Sequence, residues 1–290
     1  MTKPWVFEGL KPADIADRIG ELGAAYREYG VVVMPGLLTG DPDFKGFLDG
    51  VRFLLRKVFE RHGLGLEPDT DIGDAIARLK GVAPLDGRIV ADMGTQPNKL
   101  VAANRVKFAD FVQVLLREVF GPEAVIATPQ AGDTLHLFMP GEEFHRYSLP
   151  IHQDYQYLMQ SPRQATLYLG LSKPYDGVGG LEYWPGSQRL GVLACDRNEN
   201  GSFRVVDGEA RMEGFPLERY MWEVGDVSLF DSLMCHRSIP NTSPDRGRSV
   251  QIFRFSDLND PVAETYDWRS TTYERRGVAF ETVHSELFKS

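Results

Sequence analysis

A histidine and an aspartate two positions apart, His152 and Asp154, stand in the aromatic stretch SLPIHQDYQYL over 148–158. Read as a strand, whose side chains alternate between faces, this run aims both groups to one side. Such a pair suits three chemistries: a metal site, an acid/base pair, or a buried hydrogen bond. A metal would need at least one more ligand from elsewhere in the chain. Six histidines are present: His62, His136, His145, His152, His236 and His284. His62 and His284 sit in polar, helix-like contexts where a solvated imidazole is expected, and His145 sits in a loop-like stretch suited to the surface or to a substrate lid. His236 follows directly on a strand pattern in GDVSLFDSLMCHRSIPN and precedes a Pro240-Asn241 turn. Ligands converge at strand ends of this kind. Its neighbour Cys235 does not indicate a Cys/His zinc site, because adjacent strand residues face opposite ways and Cys195 is remote in sequence.

Two histidines and one carboxylate on one side of a metal leave three positions open, the facial arrangement of non-haem iron(II) oxygenases. A 2-oxo acid can occupy two of these positions and oxygen the third. The far carboxylate of the oxo acid then needs a fixed cation, and arginine's planar fork matches it. PDRGRSVQIFRF offers Arg246 and Arg248. Arg246 belongs to the turn, whereas Arg248 opens a strand whose face continues through Val250 and Ile252 toward a core. Arg248 is the better placed of the two.

HQD, GGLEYWPGS and GDVSLFDSLMCHRSIPNTSPDRGRSV together resemble the phytanoyl-CoA dioxygenase-like branch of the iron(II)/2-oxoglutarate-dependent oxygenases, over roughly 134–255. The resemblance implies an α+β protein whose core is a double-stranded β-helix (a jelly roll, cupin-like) flanked by N-terminal helices. It implies Fe(2+), 2-oxoglutarate and O2 as cofactors, with His152, Asp154 and His236 on the iron. Arg248 would pair with the distal carboxylate of 2-oxoglutarate, and Ser238 resembles the hydroxyl that helps hold it. His136 and Thr134, on the strand ahead of His-x-Asp, are candidates for further contacts to the oxo acid. Gln188 stands where relatives carry the histidine of PGSH, a departure that bears on substrate selection or packing. Tyr155, Tyr157 and Trp184 are candidates for the substrate pocket or for ordinary packing. The implied reaction releases succinate and carbon dioxide and oxidises a substrate C–H bond, with hydroxylation as the default. Desaturation, ring closure and epimerisation share the same ligands, while Asp154 fills the place that halogenating relatives leave small. Rival readings are a non-catalytic jelly-roll binding protein and a cupin-type metal isomerase that would have no use for Arg248.

The elements that must position these residues are also legible. Apolar residues at Ile15, Ile19, Leu22, Tyr26 and Tyr29 mark a helix ended by Gly30, followed by the short strand VVVM before Pro35. Further helices are expected over about 44–59, in DIGDAIARLKG, and over about 105–120, where Gly121-Pro122 closes the last. Beyond it, short runs such as DTLHLFMPG, QATLYLGLS, GGLEYWPG, MWEVGDVSLFD and RSVQIFRFSD alternate with Gly/Pro/Asp turns, the pattern of an all-β barrel or sandwich. One domain over 1–290 is expected: helices to about 122, a β core over about 123–257 and a tail over 258–290.

Composition narrows the partners. The 290 residues are 42% hydrophobic and 25% charged, as in a water-soluble globular protein, and the net charge of −9 argues against nucleic acid. No run approaches the ~20 apolar residues of a membrane span, and no basic leader precedes an apolar stretch. Two cysteines in no framework spacing suit a reducing cytoplasm. The expected partner is a small-molecule substrate, with a small polar metabolite favoured over a hydrophobic acyl group by the Tyr- and Gln-bearing segments near the ligands.

Overall fold

The computed structural model describes residues 3–82, 89–129, 132–141, 149–270 and 279–289. His145 lies outside the described residues. Six helices dominate the N-terminal part: α1 (Ile19–Tyr29), α2 (Pro42–Arg61), α3 (Ile72–Val82), α4 (Ile89–Thr95), α5 (Val101–Lys107) and α6 (Asp110–Phe120). Gly30 ends α1 in the left-handed region, φ 70°, which glycine adopts without steric cost. Asp41 caps α2 by accepting from the Phe44 N–H at 2.8 Å, with Pro42 in the first turn. The single helix expected over about 105–120 is two helices. The chain breaks at Phe108-Ala109, where Ala109 is extended (φ −58°, ψ 151°) and Asp110 opens α6 with a favourable negative charge at its N-terminus. Phe108, expected on the buried face, is consequently half-exposed, while the preceding Lys107 is buried.

Eleven strands are described: β1 (Val31–Met34), β2 (Ile126–Ala127), β3 (Thr134–Phe138), β4 (Gln164–Gly170), β5 (Gly180–Tyr183), β6 (Cys195–Arg197), β7 (Phe203–Val205), β8 (Glu218–Tyr220), β9 (Val227–Asp231), β10 (His236–Ile239) and β11 (Arg248–Asp257). The large antiparallel sheet runs β1-β9-β4-β11, with β3 and β2 pairing successive parts of the free edge of β11. The small one runs β10-β5-β8, and β6 pairs with β7. Thus β1, expected to belong with the helices, is an edge strand of the large sheet, and of the run MWEVGDVSLFD only the second half is strand, β9, which follows a turn at Gly225, φ 94°.

Alternation along the strands sorts the sheet's two faces. Leu135, Leu137, Leu167, Leu169, Val227, Leu229, Phe253 and Phe255 pack with the helices in one large core. Their neighbours on the opposite face, including Phe138, Tyr168, Phe230, Val250 and Ile252, pack against Leu181 and Tyr183 of the small sheet. The Tyr183 and Phe230 rings meet at 5.6 Å between centroids. Two antiparallel sheets facing each other across an apolar interior, with helices covering the outer face of the larger, is the arrangement of a jelly roll whose sheets stay open. Covering on both faces explains why every residue of β4 and β11 is buried. Among the described residues no helix is long and apolar enough to cross a membrane.

The turn leading into β11 is fixed by two backbones in contact. A Cβ on Gly247 would lie 2.5 Å from the Gly73 carbonyl oxygen and 2.8 Å from the Ala77 nitrogen of α3, and a Cβ on Gly73 would meet the Gly247 oxygen at 2.5 Å. Neither neighbour is a movable side-chain tip. Gly247→Ala should therefore lower stability by about 1–3 kcal/mol, the usual cost of overpacking, read as a lower urea midpoint with an unchanged slope.

Candidate metal centre

His152 and His236 are 84 positions apart, yet they form a reciprocal backbone pair: each N–H donates to the other's carbonyl, at 3.0 and 3.1 Å. Residues paired in this way project side by side, and the two imidazoles stand with ring centroids 4.2 Å apart. Asp154 reaches the same point by a route other than the expected strand. After His152 the chain turns, Asp154 takes helical angles (φ −59°, ψ −31°), and a one-turn helix, α7 (Tyr155–Leu158), follows. Gln153 makes that turn possible: fully buried, it donates to the carbonyls of Gly191 (2.8 Å) and Leu233 (2.7 Å) and accepts from the Leu193 N–H (2.9 Å). Its amide replaces the ladder bonds that a continued strand would have made.

Asp154 Oδ1 lies 3.9 Å from His152 Nε2 and 3.8 Å from His236 Nε2, and the three ligand atoms fall within 4.8 Å of one another. His152 Nδ1 is 2.7 Å from the Pro150 carbonyl and His236 Nδ1 is 3.0 Å from that of Met234. A carbonyl only accepts, so each Nδ1 carries the proton and each Nε2 presents a lone pair to the common point. Burial, helped by His236 and Arg254, pushes the His152 imidazole down to about 3 against the opposing pull of Asp154 and the Pro150 carbonyl. Burial alone would raise the Asp154 carboxyl, but Arg254, the two imidazoles and the Thr166 hydroxyl hold it below the usual carboxylate range. The result is a neutral imidazole at His152 beside a carboxylate at Asp154, the protonation states that a divalent metal requires. The donor set fits iron(II), as it fits other metals taken by nitrogen and oxygen ligands.

The three residues line one pocket with His136, Ser238, Arg248 and Arg254, walled by Phe138, Tyr168, Leu181, Trp222 and Val250. Arg248 is 2% exposed. Its guanidinium lies over the Phe138 ring, 3.8 Å from the centroid, and Nε donates to the Val178 carbonyl at 3.3 Å. Burial lowers its pKa to about 10, so it remains a cation at neutral pH, yet no carboxylate among the described residues pairs with it. Arg246 is instead at the surface, 2.8 Å from Asp74, with its guanidinium over Tyr175.

The remaining candidates divide. His136 lines the cavity and is held neutral, chiefly by burial and then by Arg254. Thr134 does not reach it; its hydroxyl donates to the Gly94 carbonyl at 3.4 Å. Tyr155 is fully buried against Phe280, its hydroxyl 3.0 Å from His284 Nε2, so the histidine expected to be solvated is a packing partner. Tyr157 stands edge-on to His152 at 5.3 Å and donates to the Phe203 carbonyl, bracing the ligand from outside the cavity. Trp184 packs with Ile151, Leu193 and Cys235, away from the metal point, which also places Cys235 on the side opposite His236. Gln188 donates to the carbonyls of Arg27 and Glu28 at the end of α1, at the surface. Sequence reasoning missed Gln153, Thr166, Tyr168 and Arg254. Arg254 had a signal: it shares the strand parity of Arg248, Val250 and Ile252.

A family model described as phytanoyl-CoA dioxygenase (PhyH) matches residues 26–250. The chain belongs to that family. The 1-deoxypentalenic acid 11-beta-hydroxylases of Streptomyces exfoliatus and Streptomyces arenae are 32% and 34% identical to it over 103 residues, which is 32% and 33% of this chain and 35% and 36% of theirs. The match thus spans about a third of the length of those curated relatives. Among solved structures, the epimerase SnoN from nogalamycin biosynthesis, in complex with Fe3+, alpha ketoglutarate and nogalamycin RO, aligns with a TM-score of 0.56 at 16% identity, covering 87% of this chain and 88% of that one. The carbocyclase SnoK gives 0.53 at 17%, over 94% and 92%. EctD from S. alaskensis, with 2-oxoglutarate and 5-hydroxyectoine, gives 0.53 at 18%, over 82% and 76%. At such identities the likeness is one of fold.

The depressed His152 imidazole has a consequence for the metal-free protein. Its ordinary value is 6.5 and its folded value about 3, so between these the unfolded chain binds more protons. Its contribution to stability is therefore complete above about pH 6.5 and is lost as pH falls toward 3. Urea titrations of the apoprotein at pH 7.5 and 5 should show a lower midpoint at pH 5, and His152→Gln should reduce that difference.

Proposed function

We propose that this chain is an iron(II)- and 2-oxoglutarate-dependent oxygenase acting on a C–H bond of a small molecule. The observation that carries the reading is a buried arginine, with no carboxylate partner among the described residues, in the same cavity as a His-Asp-His cluster. An uncompensated buried cation is strongly unfavourable, so Arg248 marks a place where an anion arrives with a ligand. Bound iron(II) would supply oxygen activation coupled to decarboxylation of 2-oxoglutarate, with succinate and carbon dioxide released as the substrate is oxidised. His152, Asp154 and His236 would hold the metal, and Arg248 with Ser238 would hold the distal carboxylate. His136 and Tyr168, facing the same cavity, would border the oxo acid. The Phe138, Trp222 and Val250 side chains exclude water from its methylenes, which strengthens the charged contact at its end.

Hydroxylation is the outcome supported by the two hydroxylases that share sequence with this chain. A carboxylate at Asp154 leaves the metal no ligand gap for a halide. The family match runs from 26 to 250, across the helix–strand boundary near 122, in support of one domain. Two buried, unpaired cysteines fit a reducing cytoplasm.

Anaerobic addition of iron(II) and 2-oxoglutarate should develop the weak visible charge-transfer band of the chelate, and admitting oxygen should yield succinate. Iron-loaded protein that shows neither rejects the proposal. Arg248→Ala should weaken 2-oxoglutarate by about 100-fold, as expected when a buried charged pair loses one partner, while iron affinity changes little; equal losses of both would remove Arg248 from its role.

A further inference from the structure

Arg254 lies on the same face of β11 as Arg248 and is 9% exposed. Its Nη2 stands 3.3 Å from Asp154 Oδ1, and Nη1 donates to the Gly132 carbonyl. Its backbone N–H donates to Asp133 Oδ1 at 3.2 Å, and the other oxygen of Asp133 takes the Lys107 ammonium. Lys107, on α5, is 4% exposed and lies over the rings of Phe253 and Phe255, the residues flanking Arg254 on the opposite face of β11. The Lys107–Asp133 ion pair is therefore anchored to the main chain of Arg254, whose guanidinium reaches Asp154. On the far side of the aspartate, the Thr166 hydroxyl donates to Oδ2 at 2.7 Å.

A carboxylate rotates about its last torsion with little resistance, and a free one can chelate a metal through both oxygens. Here Oδ2 is tied to Thr166, and Oδ1, the oxygen nearer both imidazoles, is held by the guanidinium. We propose that Arg254 is a positioning residue that holds Asp154 as a one-oxygen metal ligand, and that Asp133 and Lys107 fix the main chain from which its side chain reaches. The proposal rests on reading His152, Asp154 and His236 as a metal site, and it concerns a residue that does not itself touch the metal. It requires the guanidinium's orienting effect to outweigh its repulsion of the dication. The sign of the affinity change decides between them.

The test is cobalt(II) binding to the full chain, followed by its visible d–d bands and by competition with a chelator, which needs neither oxo acid nor turnover. Arg254→Met should bind cobalt(II) about 10-fold more weakly, the usual effect of losing a hydrogen-bond partner of a metal ligand, with altered bands. Arg254→Lys keeps the charge without the fork and should fall between that variant and wild type. Lys107→Met, remote from the metal, should shift the affinity in the same direction by less. A residue that only stabilised the fold would change the unfolding midpoint and leave the affinity and bands alone. Equal or tighter binding by Arg254→Met overturns the proposal. Should that variant not fold, wild-type affinity and bands in both Arg254→Lys and Lys107→Met overturn it equally. Wild-type protein that takes up no cobalt would bring down the metal reading and this inference with it, whereas wild-type uptake with unaltered variants brings down the inference alone.

Discussion

Two hydrogen bonds between the backbones of His152 and His236 are the constraint on which the site depends. They are ordinary sheet bonds, each worth about 1 kcal/mol net, but they fix two imidazoles at a separation that side-chain freedom alone would not hold. What surrounds them serves that register. β10 pairs with β5 from His236 to Ile239, Gln153 turns the other strand away once His152 is placed, and the two Nδ1 atoms are committed to carbonyls two residues back along each chain. The two imidazoles are thus positioned by main chain, and the aspartate, at the start of a helical turn, is the one member of the cluster whose orientation is left to its neighbours.

The division of labour between the sheet faces follows from one alternation. Odd-numbered residues of β11 bind the sheet to its helices, while even-numbered residues turn into the space between the sheets. Two of those even positions are arginines, at the ends of an apolar Val250–Ile252 interval. A strand buried on both faces can carry such cations only where anions meet them. Asp154 meets Arg254 within the protein, and Arg248 meets no carboxylate among the described residues.

The chemistry-bearing residues were easier to read than the geometry that joins them. His152, Asp154, His236 and Arg248 stood out because their types are rare in apolar surroundings and their order is specific. The strand through HQD was misread because alternating Gln and Tyr mimic a half-buried strand, while the side-chain bonds of Gln153 that end it span 38 to 80 positions. Thr134 has the right parity but lies one pair too far along β3, where a carbonyl of α4 takes its hydroxyl. Trp184 and Gln188 neighbour a family motif in sequence yet face another core and the end of α1, since sequence proximity carries no information on which side of β5 a following turn falls. The single helix assigned to 105–120 failed at Phe108, whose apolar character fitted the period although its ring ends half in water.

The contact between Arg248 and Phe138 restricts more than position. With its central carbon 3.8 Å from the ring centroid, the guanidinium is covered on that side, and its N–H bonds lie in its own plane as a fork. An anion with two oxygens at carboxylate or phosphate spacing can meet such a fork with two bonds at once. The ring thereby fixes the direction from which the Arg248 fork can be approached.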